Sequence, residues 1–257
     1  MYDTTDGCSE ANVALLAWVG AMCMLGDYYA EQFVESGNQQ VIPLLSLEEA
    51  NLLHAQRIAR SQGCWHWVTS TMQSLVVLYN FRGRLPEFSL LVEEVVPDCC
   101  TDEDRPIAER YYMLYSSIMG YRVEIARLNR DFTRAAYLQN RRLEWDRLQA
   151  APVLALTEGE PIDHVQRNQI KALSHSVFLL GHILSEQKNS ACLAAFEESI
   201  GYDRRIGDIA SEATTLLYLG HAYKNIPAIR DLDKAESTYQ RGLALHDTED
   251  EIGRLVL

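Results

Sequence analysis

The sequence predicts an all-α fold in which helix pairs recur along the chain as an α-solenoid. The three-to-four spacing of apolar residues that is typical of amphipathic helices runs almost from end to end. Stretches that alternate apolar and polar residues between turn clusters, as half-buried strands do, are nearly absent. A short helical motif also appears twice near the C-terminus, and recurrence at a fixed period indicates a solenoid rather than a bundle.

Residues 1–46 are assigned to N-terminal helices, for which a degenerate helical pair is one interpretation. Their main feature is the uncharged run at residues 11–26, which falls short of the roughly 18 to 20 residues that a membrane span needs. Asp3, Asp6 and Glu10 precede this run, whereas a signal peptide carries basic residues there. We therefore predict a buried helix and no membrane segment.

The repeat is clearest near the C-terminus. Residues 180–184 (Leu-Gly-His-Ile-Leu) are echoed by residues 219–223 (Leu-Gly-His-Ala-Tyr), and each copy is followed by a polar turn and a second amphipathic helix. Phe196 and Tyr239 occupy corresponding positions on those second helices. An offset of 42 residues separates the aspartates that follow the two pairs, Asp208 and Asp250.

This pattern resembles the tetratricopeptide repeat family, whose unit of about 34 residues is somewhat shorter. The resemblance implies a right-handed α-solenoid of antiparallel helix pairs whose first helices line a concave face. Gly181 and Gly220 are expected to let the two helices of a pair approach closely, and Ala235 to do the same from the other side. Tyr223 and Tyr239 are expected to fill the space between neighbouring pairs.

Weaker copies extend the resemblance over residues 47–257. Residues 82–88 and 130–135 stand where the family has the turn between its two helices. Residues 96–104 and 151–162 interrupt the pattern and are interpreted as longer loops between repeats. The repeats are placed at about residues 47–97, 107–150, 168–206 and 210–247, with the start of a further repeat at 248–257.

The C-terminal residues indicate a piece of a larger protein. Leu255, Val256 and Leu257 look like the opening of another repeat, and an uncapped apolar face of this kind favours homo-association. Residues 47–53 and the turn at 82–85 resemble the start of the repeat sensor region of bacterial STAND-type signalling ATPases. Similar repeats precede caspase-like protease domains. The resemblance thus implies a cytoplasmic bacterial signalling protein with an effector module elsewhere.

Cysteine usage agrees with a reducing cytoplasm. The adjacent Cys99 and Cys100 are a candidate redox or metal site, but no second Cys/His pair at ligand spacing accompanies them, so neither a metal nor a cofactor is predicted. The cysteines are scattered without a C-x-x-C pair, at positions 8, 23, 64, 99, 100 and 192.

Catalytic motifs are not found. The sequence has no G-x-x-x-x-G-K-[ST] phosphate loop, no H-E-x-x-H and no G-x-S-x-G. Cys64 and His66 are two residues apart, so on a helix they point in different directions and cannot form a nucleophile and base. With Trp65 and Trp67 interleaved, they predict a packing site. The expectation is a chain that is not an enzyme, with a degenerate hydrolase as the remote alternative.

The histidines are the leading candidates for partner contact. His182 and His221 occupy the same place in successive repeats, and His175 lies seven residues before His182 on the same helical face. In the tetratricopeptide repeat family, which the sequence resembles, this position faces the peptide-binding groove. Surface polar residues beside tyrosines, or a metal site, are the alternatives. The full predicted groove comprises Gln73, Asn80, Glu124, Arg127, His175, His182, His221, Lys224 and Asn225.

The charge pattern limits the choice of partner. The formal net charge of −13 disfavours nucleic acid and anionic membrane. The lysine and asparagine carboxylate clamp of some family members is not reproduced, since Phe178 and His182 stand in its place. Residues 105–147 run against the acidic average, with nine arginines and five acidic side chains. Arg134, Arg141 and Arg142 lie there on one predicted helix, which is either a solvated face with ion pairs or a docking face for an acidic or phosphorylated segment.

Two functions are consistent with these sequence features. The first is a protein–protein interaction or sensor domain that binds a protein segment on its concave face. The second is a small-ligand sensor, for a sugar or peptide, from a bacterial transcription activator. An open groove lined by Asn80, Arg127, His182 and His221 would favour the first, and a closed cavity with aromatic walls the second.

Overall fold

The computed structural model describes residues 13–108, 111–156 and 160–255, with only the backbone at residues 34, 35 and 246–255. Within these ranges the chain forms ten α-helices and no strand, apart from an isolated bridge between Cys100 and Pro106. The all-α prediction is therefore confirmed. The helices are α1 (Val13–Ser36), α2 (Val41–Ser61), α3 (Trp65–Arg82), α4 (Leu85–Cys99), α5 (Tyr112–Leu128), α6 (Phe132–Leu154), α7 (His164–Glu186), α8 (Cys192–Ile206), α9 (Ile209–Asn225) and α10 (Leu232–Leu255).

The chain divides into two compact units, and the boundary lies within α5, between Tyr121 and Arg122. In the first unit α1, α2 and α3 pack on one another pairwise, and α4 packs on α3. In the second unit each helix from α6 to α10 packs on the next one along the chain. The predicted segment 47–97 thus holds parts of three helices rather than one pair.

The α1 helix is only partly buried. By length and composition Val13–Phe33 could cross a membrane, although a core helix of a soluble protein meets the same criterion. Val19 and Cys23 lie in the core of the first unit, whereas the opposite side of the helix is open, with Met24 75% exposed. The predicted buried helix therefore corresponds to one face of α1, and the absence of a membrane stays a prediction.

The predicted turn at 82–88 is present between α3 and α4. Gly83 has a φ of 67°, which places it in the left-handed region that glycine tolerates best, and Pro86 lies in the first turn of α4. The Arg84 guanidinium donates to Glu49 on α2 and to Glu87 on α4, and the Tyr79 hydroxyl also donates to Glu49. These bonds tie the turn to α2.

Both predicted loops are shorter than expected because a helix runs through each internal proline. The α4 helix continues through Pro97 to Cys99, and α6 continues through Pro152 to Leu154. The buried thiols of Cys99 and Cys100 lie 3.6 Å apart. No group of three or more metal-ligating side chains occurs in the part of the chain that the structure describes.

Three helix starts in the second unit are fixed by aspartate caps. Asp131, Asp163 and Asp208 each accept a hydrogen bond from a backbone amide three residues later. Gln166 completes a capping box with Asp163 at the start of α7. Such caps satisfy amides that lack a partner within the helix, so they define where α6, α7 and α9 begin.

Gly181 and Gly220 bring the helices of each pair into close contact, as the sequence predicts. A Cβ on Gly181 would lie 2.8 Å from the Phe196 ring, and a Cβ on Gly220 would lie 2.5 Å from the Tyr239 ring. Both distances are shorter than real Cβ contacts, so a larger residue would have to displace the ring. Tyr239 therefore packs inside the α9–α10 pair, which differs from the expected place between pairs.

Candidate functional site

The predicted histidines lie on one side of α7 and α9 in the second unit. His175 and His182 are on α7, where His175 is exposed and His182 is half-buried. His221 is exposed on α9. Lys224 and Asn225 are also exposed, and they follow His221 by three and four residues, which puts them on the same face of α9.

Aromatic rings connect these histidines into a continuous series. The Phe178 ring stacks on His175 at 6.3 Å and on His182 at 6.2 Å between centroids. Tyr218 of α9 meets Phe178 edge-on at 5.1 Å and His182 at 4.8 Å. We call the series the aromatic ladder; its members are His175, Phe178, His182, Tyr218, His221 and Tyr239.

The far end of the aromatic ladder is held by a hydrogen bond. His221 contacts the Tyr218 ring at 6.3 Å and the Tyr239 ring at 5.4 Å. The Tyr239 hydroxyl and the His221 Nδ1 atom are 2.9 Å apart, so they share a proton in one direction or the other. Tyr218 thus touches both repeat-equivalent imidazoles, and His182 and His221 belong to one surface.

An ion cluster borders His182. Arg127, near the end of α5, donates to Glu124 at 2.7 Å and to Glu186 of α7 at 3.0 Å. The second carboxylate oxygen of Glu186, Oε2, is buried and accepts no hydrogen bond from the part of the chain that the structure describes. Two predicted groove residues, Glu124 and Arg127, therefore lie next to a third, His182.

Burial disfavours protonation of two imidazoles on α7, His175 and His182. Burial lowers the pKa of His182 below its ordinary value of 6.5; Arg127 acts in the same direction, and the carboxylates of Glu186 and Glu124 act against it. Burial, and then the charges of Arg142 and Lys171, lower the pKa of His175. Solvent at the exposed edge of His175 weakens this shift without reversing it. Both rings are therefore neutral at pH 7 and can each donate one hydrogen bond and accept another.

Not all predicted residues belong to the second unit. Gln73 and Asn80 belong to the first unit, where both are exposed on α3 and seven residues apart. The ladder includes Tyr218, which was not among the predicted groove residues. Its signal was its position, since it immediately precedes the second Leu-Gly-His motif and lies three residues before His221. Glu186, four residues after His182, was missed in the same way.

No family model, no curated protein and no solved structure matches the chain. Function must then be inferred from the side chains themselves.

In the arginine-rich segment, residues 105–147, the described arginines are largely engaged in ion pairs. Arg141 pairs with Glu144 at 2.9 Å and Arg147 with Glu198 at 2.9 Å. The guanidinium of Arg134 and that of Arg141 both lie over the ring of Tyr137, at 5.2 and 5.5 Å from its centroid. These contacts agree with the solvated face that was one of the two interpretations.

Proposed function

We propose that this chain is a non-catalytic interaction or sensor domain of a larger signalling protein, and that the aromatic ladder binds a segment of a protein partner. The observation that carries the proposal is the ladder itself, a row of six rings drawn from α7, α9 and α10. Aromatic side chains dominate binding energy at protein interfaces because they bury large apolar areas at a small entropic cost.

The shape and polarity of the ladder favour an extended ligand. An ion cluster of Arg127, Glu124 and Glu186 borders His182, and the exposed Lys224 and Asn225 follow His221 on α9. An apolar centre with a polar rim is the usual anatomy of a protein interface. The neutral imidazoles of His175 and His182 supply donors and acceptors that suit the backbone of a bound segment.

The proposal includes the architecture and the setting that the sequence resemblance implies. The glycine–ring contacts at Gly181 and Gly220 and the sequential packing of α6 to α10 support a tetratricopeptide-like α-solenoid with first helices on the binding side. A cytoplasmic bacterial sensor of the STAND kind is the corresponding setting. The net charge of −13 supports a protein partner over nucleic acid or an anionic membrane.

The first step of a test is to find the segment that touches the ladder. A photo-crosslinking amino acid replaces Leu217, which is 37% exposed on α9 next to Tyr218. The matched control places the same amino acid at Leu148, an exposed leucine of α6. We expect a protein segment to be captured from position 217 and to be identified by mass spectrometry, and we expect no such capture from position 148.

The second step measures the affinity of a synthetic peptide with the captured sequence by calorimetry. Replacing His182 and His221 together with alanine should weaken binding by about 1–3 kcal/mol if they are central contacts. Folding should change little, because the two side chains are not in the core. His164→Ala, an exposed histidine at the start of α7, is the control. Unchanged affinity in a folded double variant, or capture only from position 148, contradicts the ladder and moves the interface to α6.

A further inference from the structure

A concave site, distinct from the aromatic ladder, lies between α8, α9 and α10. It is a cleft of about 280 Å³, partly open to solvent. Ile200 and Leu219, both 5% exposed, form its floor, and Tyr223 forms one wall. The volume is below the roughly 300–1,000 Å³ of pockets for drug-sized molecules, so it suits a small ligand or a single side chain.

The cleft is separate from the aromatic ladder. Leu219 and Tyr223 line the cleft, and His221, between them in sequence, belongs to the ladder. Residues two apart on an α-helix point about 200° apart around its axis. The α9 helix therefore turns one face to the ladder and the opposite face to the cleft.

Positive charge predominates among the side chains that line the cleft, against the acidic average of the chain. Arg204, Lys234 and Arg241 line it, with Glu197 as the single carboxylate. Lys234 and Arg241 are seven residues apart and lie on one face of α10. The nominal charge of the lining is thus +2, in a chain whose net charge is −13.

The cations retain donors for a ligand. Arg204 uses its Nε to bond Glu212 at 2.7 Å, which leaves its terminal nitrogens. Lys234 pairs with Asp231 at 3.4 Å, but this pair is exposed and therefore weak. Arg241 makes no ion pair with any side chain that the structure describes. Three basic groups thus meet over an apolar floor.

We propose that this cleft binds a small phosphate monoester whose organic group rests on the apolar floor. A phosphate monoester carries about −1.5 to −2 charges at pH 7, which matches the charge of the lining better than a carboxylate does. Arginine and lysine are the side chains that recognise phosphate through charge-assisted hydrogen bonds. The ring or alkyl chain of the ester then packs on Ile200, Leu219 and Tyr223.

The test measures the binding of phenyl phosphate, the probe, to the full chain by NMR or calorimetry. For so small a ligand we expect a Kd on the order of a millimolar. Benzyl alcohol, which has the ring without the charge, should not bind at the same concentration. A short peptide that carries phosphotyrosine distinguishes the source of the ester: tighter binding than phenyl phosphate indicates a phosphorylated protein, and equal binding indicates a free metabolite.

Variants of the lining give effects of opposite sign. Lys234→Gln and Arg241→Gln should each raise the Kd roughly three- to tenfold, because each removes one charge-assisted contact. Glu197→Gln should lower the Kd about two- to threefold, because it removes a repelling carboxylate. Lys188→Gln, an exposed lysine outside the cleft, is the control and should leave the Kd unchanged.

Several results would overturn the proposal. They are no binding of phenyl phosphate to the unaltered chain, binding of benzyl alcohol with equal affinity, an effect of Lys188→Gln as large as that of Arg241→Gln, or weaker binding in Glu197→Gln. If Arg241→Gln does not fold, Lys234→Gln decides alone. The variant with both His182 and His221 replaced by alanine should still bind phenyl phosphate, so failure of the ladder and failure of the cleft are distinguishable.

Discussion

The α7–α8 and α9–α10 pairs share a glycine–ring contact, but they fill the rest of their interiors with different chemistry. In the first pair the Ser174 hydroxyl donates to Asp203 at 2.5 Å and lies 2.9 Å from the hydroxyl of Ser199. At the corresponding place in the second pair the backbones of α9 and α10 lie close together. A Cβ on Gly242 would be 3.3 Å from the carbonyl oxygen of Ala213. One pair is thus joined by buried hydrogen bonds and the other by close apposition of small residues.

The two histidines differ for a related reason. On the second helix of each pair the ring over the glycine is Phe196 in one case and Tyr239 in the other. Tyr239 reaches His221 with its hydroxyl, whereas Phe196 has no polar atom and His182 packs edge-on against Tyr218 instead. A single hydroxyl thus decides whether the ladder histidine makes a hydrogen bond within its own pair. The repeat fixes the contact between helices, and the neighbouring residues set the chemistry of the exposed face.

The largest effects should come from filling the space at the glycines. Phe196 is fully buried and cannot move away from a new methyl group, so Gly181→Ala should destabilise the chain by about 3 kcal/mol in urea unfolding. Tyr239 is half-buried and can swing outward, so Gly220→Ala should cost only about 1 kcal/mol despite its shorter contact.

The control for these glycine substitutions is Gly201→Ala. No side chain lies within 4 Å of a Cβ at this position in the middle of α8. Because alanine favours a helix over glycine, this change should stabilise the chain by about 0.5–1 kcal/mol. A larger loss for Gly220 than for Gly181 would show that the Tyr239 ring is as tightly held as Phe196.

The next largest effect should come from Asp203, in the polar interior of the α7–α8 pair. Burial raises the pKa of Asp203 to about 6 from its usual 3.8, with a hydrogen bond from Ser174 opposing the shift and the carboxylates of Asp208 and Glu212 adding to it. Asp203 is 2% exposed, and its second oxygen is buried without a hydrogen bond from the described side chains and backbone. The folded state therefore binds a proton more tightly than the unfolded state.

This difference in proton binding fixes the sign of the pH dependence of stability. The contribution of Asp203 to stability is fully present below about pH 4 and is lost as the pH rises through about 6. Asp203→Asn should remove that dependence and raise stability at pH 7 by about 2 kcal/mol, measured by urea unfolding between pH 4 and 8.

Asp208→Asn is a control of opposite sign. Burial alone would raise the pKa of Asp208, but the bonds from Lys171 and from the Ser211 amide hold it below its usual value. This variant should therefore lower stability at pH 7 and leave it unchanged at low pH. A gain at pH 7 from both variants would mean that any lost negative charge stabilises this acidic chain.

The sequence could predict much of the fold because its signals are local. Aspartate caps, Gly83 and the three-to-four spacing define helix ends within a few residues. Prolines are the exception, since Pro97 and Pro152 predict breaks but lie inside the last turns of helices. One further signal was present but not used: Leu25-Gly26 followed by Tyr29 repeats the spacing of Leu219-Gly220 and Tyr223 in α1.

The candidate site was less predictable. Repeat position alone brought His175, His182 and His221 to one surface, but the rings that connect them come from other helices. Which ring fills a gap depends on packing across helices, and a helical period does not contain that information. The cleft was missed for the same reason, because its cations come from α8 and α10 and are scattered in sequence.

The smallest effect is expected from removing the Tyr239 hydroxyl, which distinguishes the α9–α10 pair from the α7–α8 pair. Tyr239→Phe removes the bond to His221 and leaves the ring over Gly220, so unfolding free energy should fall by only about 0.5–1 kcal/mol. A double-mutant cycle with His221→Ala should give a coupling of similar size, since removal of either partner breaks the same bond. A parallel cycle of Tyr239→Phe with His164→Ala should show no coupling, because the structure records no contact between these two side chains. If the His221 cycle is also additive, the bond contributes nothing in solution. His221 would then be held by ring contacts alone, as His182 is, and the two pairs would present the same kind of histidine to a partner.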